Sequence, residues 1–184
     1  MRHHLLFLII SFVFSSCKNV NKDNETEKKV SQEAKRDSST IISKFEIDIR
    51  KFKEFEPYMI DDIPLADEYS QYFENPNEYF DESLVLLQKE DIPNINKTII
   101  ACIIRNMSLE DYLNFCEKAY ILFQTSKIEE QIFMKIIGNA SQGCQSPFFD
   151  AKNRGNKKMN EFLERVIKSP FLSEDKKNYI KSNY

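Results

Sequence analysis

Only three glycines, Gly138, Gly143 and Gly155, occur in the 184 residues, and all lie within eighteen residues of one another. Sheet proteins place glycine in hairpin turns and bulges, so this thin supply predicts helices joined by short turns. It also leaves no phosphate-cradling loop: the sequence holds neither a Walker A motif nor a dinucleotide fingerprint.

Helical spacing bears this out along the chain. Leu65, Tyr69, Tyr72 and Phe73 share one face, and Tyr79, Phe80, Leu84 and Leu87 share another after Asn75-Pro76. Ile99, Ile100, Ile103, Ile104 and Met107 form a run expected to be buried. Ser108, with Asp111 three residues on, is expected to cap the helix that carries Tyr112, Cys116, Tyr120 and Phe123. Ser126-Lys-Ile-Glu129 reads as a capping box for Ile132, Phe133, Ile136 and Ile137. Met159 to Ile167 and Ser173 to Ile180 complete the set. Phe45 to Ile49 alternates as a strand would, but Ile42, Phe45, Ile49 and Phe52 fit a helix, and no partner strand exists elsewhere. The expectation is an all-α fold of six or seven short antiparallel helices, as a bundle or a short HEAT-like stack.

The first residues carry a different signal. Met1-Arg2-His3-His4 is basic, Leu5 to Phe14 is an apolar run of ten, and Ser15-Ser16-Cys17 follows. Ten residues at 1.5 Å rise reach roughly 15 Å, about half a hydrocarbon core, so a secretory leader is expected rather than a spanning helix. Phe14-Ser15-Ser16-Cys17 resembles the lipobox of bacterial lipoproteins, with phenylalanine where leucine is commonest. That resemblance implies cleavage before Cys17 and acylation of Cys17, with several chains making a stable membrane anchor. Lys18, where an aspartate would favour inner-membrane retention, implies an outer-membrane destination.

Three segments are expected: a signal peptide at 1–16, the lipidated Cys17 with a tether over 17–40, and a helical domain at 41–184. Residues 18–40 include two valines, one alanine and no aromatic, too little apolar surface to offset ordering entropy. The 144 residues of the domain suffice for one core.

Both histidines, His3 and His4, fall in the leader, so the mature chain has none. This excludes Ser-His-Asp and Cys-His catalysis and imidazole-bearing zinc sites. No metal or cofactor is expected. Paired carboxylates from Asp61, Asp62, Asp67, Glu68, Asp81 and Glu82 leave a hydrolase as the catalytic alternative, though no spacing selects an acid and a base. The loop from Glu74 to Asp81 lacks the glycine turn of an EF-hand.

Of the cysteines after Cys17, Cys144 stands level with the turn at Met107-Ser108 in an up-down-up arrangement. Cys102 lies about 6 Å above that turn and Cys116 about 10 Å or more, so Cys102–Cys144 is the expected disulfide. Three buried thiols are the alternative.

Charge is unevenly spread. Between Glu54 and Asp91 lie twelve acidic residues and one lysine, whereas Asp150 to Tyr184 holds nine basic and five acidic ones. The mature chain carries 25 basic against 29 acidic side chains, so nucleic-acid binding is not expected. Asp61, Asp62, Tyr69, Tyr72, Tyr79, Asp81 and Glu82 are the candidate partner-binding residues: carboxylates steer a basic protein and tyrosines anchor it. The expected function is therefore a non-catalytic, lipid-anchored envelope protein, an inhibitor or immunity protein by analogy of class. A structural or assembly subunit of an envelope complex is the competing reading.

Overall fold

The computed structural model describes residues 42–52, 67–140 and 144–184, which belong to a compact unit spanning 41–184. The leader, Cys17 and the tether lie outside the described residues. Among those described, eight α-helices and no strands are found: α1 (Lys44–Lys51), α2 (Asp67–Glu74), α3 (Phe80–Leu87), α4 (Asn94–Ile103), α5 (Leu109–Gln124), α6 (Glu130–Ile137), α7 (Lys157–Ile167) and α8 (Glu174–Asn183). Short 3-10 turns precede α3, follow α4 and interrupt the connection between α6 and α7. The fold is all-α, with eight helices where six or seven were expected.

Local chemistry sets most of the helix starts. The Ser43 hydroxyl accepts from the Glu46 amide, Ser108 from the Asp111 amide at 3.1 Å, and Asn156 from the Met159 amide. Ser126 does something else. It has φ of 57°, its amide donates to the Phe123 carbonyl, and the next amide, Lys127, donates to the Leu122 carbonyl. This is a Schellman closure of α5, with Ser126 in the left-handed position usually held by glycine. The serine therefore ends one helix, and Glu129 rather than Ser126 occupies the N-cap of α6. The capping-box reading of Ser126 is corrected accordingly.

The core is layered around α4, α5 and α6. Helix α5 packs antiparallel on α6, with Tyr112 donating to the Ile136 carbonyl at one end and Phe123 stacked on Phe133 at the other. Helix α4 packs on α6 and its isoleucines, Ile99, Ile100, Ile103 and Ile104, are fully buried. On the far side of α5 sits α7, where Phe162 stacks on Phe148 and meets Tyr120 edge-on. Helix α1 packs on α4, and α2 and α3 reach it through side chains, Tyr72 donating to Asp48 and the Ser43 hydroxyl to Glu82.

Candidate functional site

The candidate tyrosines serve the inside of the molecule. Tyr72 is 1% exposed and donates to the Asp48 carboxylate at 2.6 Å, while Tyr69 donates to the Asp48 carbonyl at 3.1 Å. Tyr72 and Tyr79 close an aromatic cluster with Phe45, ring centroids 4.7–4.8 Å apart. Tyr69 and Tyr79 are half-buried against the same core. Tyr69 and Tyr79 therefore keep part of their surface exposed while helping to seat α1, whereas Tyr72 is buried and offers no free ring to a partner. The physical cause is the buried Asp48. Burial alone would raise its pKa, but hydrogen bonds from Lys44 and Tyr72 outweigh that and hold it below the usual aspartate value. The same bond, after desolvation, pushes the Tyr72 phenol up.

The acidic residues divide. Asp61 and Asp62 lie outside the described residues. Glu82 is half-buried and accepts from the Ser43 hydroxyl, so it too helps to seat α1. Asp81 is exposed and stands 3.7 Å from Lys118. Glu74 and Glu78 are exposed and have no ion pair among the described residues. They stand beside the N-terminus of α5, where Asn77 donates to the Asp111 carboxylate at 3.1 Å and Glu110 is exposed.

An apolar stripe adjoins this acidic edge. Helices α3 and α5 run in the same sense: Asp81 meets Lys118 at one level, and Leu87 and Phe123 line a common cleft further on. Val85 lies one turn beyond Asp81, and Ile121 lies three residues beyond Lys118, so both continue the surface marked by that ion pair. They are 52% and 58% exposed. Periodicity could have flagged them, since both interrupt the polar faces of their helices.

Cys102 and Cys144 are joined, their Cα atoms 5.8 Å apart, whereas Cys116 is a buried free thiol whose pKa is pushed up by desolvation. Beside the disulfide lies a residue that sequence reasoning missed. The Arg105 guanidinium donates to the Cys144 carbonyl at 2.5 Å, the Lys135 carbonyl at 2.6 Å and the Gly138 carbonyl, and its Nη1 also touches the Cys144 sulfur. It ties the end of α6 to the following loop. Arginine suits this because its planar fork can reach several carbonyls at once. Burial lowers its pKa.

A cleft of about 550 Å³ opens between the α3–α4 and α5–α6 turns, with Phe171 as an outer wall. Leu87, Phe123, Ile128 and Ile132 give it an apolar floor, and Lys97, Lys127, Glu90, Glu129, Glu130 and Asn94 supply polar groups. Lys97 is only 7% exposed, and its side chain makes no hydrogen bond or ion pair among the described residues. The neighbouring Glu129 carboxylate instead accepts from the Asn94 amide at 2.8 Å. Desolvation lowers the Lys97 pKa, opposed at longer range by Glu129, Asp91 and Glu90. No group of three or more cysteine, histidine or carboxylate side chains converges as a metal site among the described residues. Comparison with protein families, with curated proteins and with solved structures finds no match.

Proposed function

We propose that this chain is a non-catalytic protein of the cell envelope, anchored by acyl chains on Cys17, that binds another protein through the α3–α5 surface. The observation carrying this reading is that two exposed aliphatic side chains, Val85 and Ile121, continue the α3–α5 surface marked by the exposed Asp81, with the exposed Glu74 and Glu78 at the N-terminal end of α5. Apolar contacts supply the affinity of a docking face, and exposed carboxylates, of which Glu74 and Glu78 have no ion pair among the described residues, steer a basic partner toward it. Val85 and Ile121 take the apolar part that the buried Tyr72 cannot play. A secreted toxin with a basic active site is the partner class that fits, with this chain as its inhibitor or immunity protein. The anchor would hold the protector at the outer membrane, where an incoming protein first arrives.

The test is affinity capture with the detergent-solubilised mature protein. Extracts are the producer's own envelope and a competitor's secreted proteins, each at low and high salt, and captured chains are read by mass spectrometry. One basic secreted protein, held one-to-one and weakened by salt, is the expected result. A group of the cell's own envelope proteins held regardless of salt would instead identify an assembly subunit. Cys17→Ala should release the protein from membranes; retention of that variant would overturn the lipobox reading.

A further inference from the structure

We propose that the cleft between the α3–α4 and α5–α6 turns binds a small monocarboxylate with an apolar body, the carboxylate meeting Lys97 and the body resting on Phe171 and Ile128. The inference concerns a site separate from the protein-docking face.

Three observations meet at this place. Lys97 is more than nine-tenths buried and its side chain has no partner among the described residues, yet its ammonium is not sealed in, so the stem is packed while the charged end opens on the cleft. A buried charge without a counter-ion is costly, and such charges are ordinarily paired. A paired solution was available in Glu129, but that carboxylate is held by Asn94. The structure thus keeps an ammonium facing an open space of about 550 Å³, within the range of small-molecule sites.

The surroundings narrow the ligand. The floor of Leu87, Phe123, Ile128 and Ile132 and the 54% exposed Phe171 call for an apolar body. Three carboxylates, Glu90, Glu129 and Glu130, line the cleft against two ammonium groups, Lys97 and Lys127, and disfavour a dianion such as a phosphate monoester, so a singly charged carboxylate is selected. The carboxylate could belong to a plain organic acid or to a free amino acid, whose ammonium group Glu90 would then receive.

The experiment titrates the intact mature protein, labelled with 15N, with 3-phenylpropionate, phenylalanine and 3-phenylpropanol, following amide shifts around the cleft. Saturable shifts at residues 87–97 and 126–132 with 3-phenylpropionate are expected, and at least tenfold weaker binding of the alcohol. Lys97→Met keeps the length of the stem and should reduce carboxylate binding at least tenfold. Phenylalanine binding more tightly than 3-phenylpropionate would identify the zwitterion as the preferred source, and weaker binding the plain acid. Equal affinity for acid and alcohol in the unsubstituted protein, or the absence of saturable shifts, would overturn the proposal whether or not the Lys97 variant folds.

Discussion

Helix α1 and the α5–α7 layer are held to the same body by different physics. The α5–α7 layer is joined by rings: Phe123 on Phe133 at 4.9 Å, Phe148 on Phe162 at 5.3 Å, and Tyr120 between them. Helix α1 also buries Phe45 and Ile49, but it is located by directional polar bonds. Glu46 is clasped by Lys89 and Arg50, Asp48 by Lys44 and Tyr72, and the Asn96 amide lies within 3.1 Å of the Ile49, Arg50 and Phe52 carbonyls. Apolar packing tolerates a change of pH and is lost in proportion to the atoms removed. Polar clasping has a defined geometry but fails when a single partner changes its charge. The N-terminal helix is therefore the part of the domain that conditions can loosen separately.

The largest effect is expected in the ring layer. Phe162→Ala should destabilise the whole domain by about 3–5 kcal/mol, through lost transfer energy and the cavity left behind. Urea unfolding followed by circular dichroism would show one shifted transition; a shift below 1 kcal/mol would mean that the layer collapses around the gap. Next, replacing both Cys102 and Cys144 by serine opens a loop closed across a separation of 42 residues and should cost about 2–4 kcal/mol. The same unfolding curve measures this, and no change would show that the bridge adds nothing to the Arg105 clasp.

Smaller losses should be confined to α1. Asn96→Ala strands carbonyls at the end of that helix and should cost about 1–3 kcal/mol. Hydrogen exchange should then speed up at α1 amides while α5 amides stay protected. Equal acceleration in both would erase the distinction drawn between the two regions. Acidification should act in the same direction. The Lys89 bond, against desolvation and with Arg50, lowers the Glu46 pKa, and Asp48 is also lowered. Their stabilisation is present above the unfolded carboxylate values near 4 and is lost as pH falls through the folded ones. Amide protection in α1 should drop first on acidification, and Glu46→Gln should flatten that dependence. The smallest effect on stability, within about 0.5 kcal/mol, is expected for joint charge reversal at Glu74, Glu78 and Asp81, which should cut partner association while leaving the unfolding curve in place.

Much of the helical layout was legible because its causes are local. The Ser108 cap needs only a serine and the amide three residues later, and the buried face of α4 is written in its isoleucine spacing. Other features were not, because distant residues decide them. Ser126 is the exception, where two local signals compete: Ser-x-x-Glu suits the start of α6, but the Ser126 and Lys127 amides close α5 on the Phe123 and Leu122 carbonyls. The tyrosines of α2 could face either way until Asp48, 24 residues before Tyr72, supplied a buried acceptor. Lys97 stands between Asn96 and Thr98 ahead of the isoleucine run, where nothing marked its stem as buried.

The amino-acid sequence alone determined that this chain builds short helices and where most of them begin and end, since scarce glycine, 3.6-residue periodicity and caps act over a few residues. Only the tertiary structure decided which polar groups lie inside. Asn96, Arg105, Asp48 and Lys97 are withdrawn from solvent to different degrees, three with partners brought from at least 24 residues away and one with no side-chain partner among the described residues. The fate of a polar side chain depends on whether folding places a donor or acceptor beside it, and that pairing is a property of the assembled body.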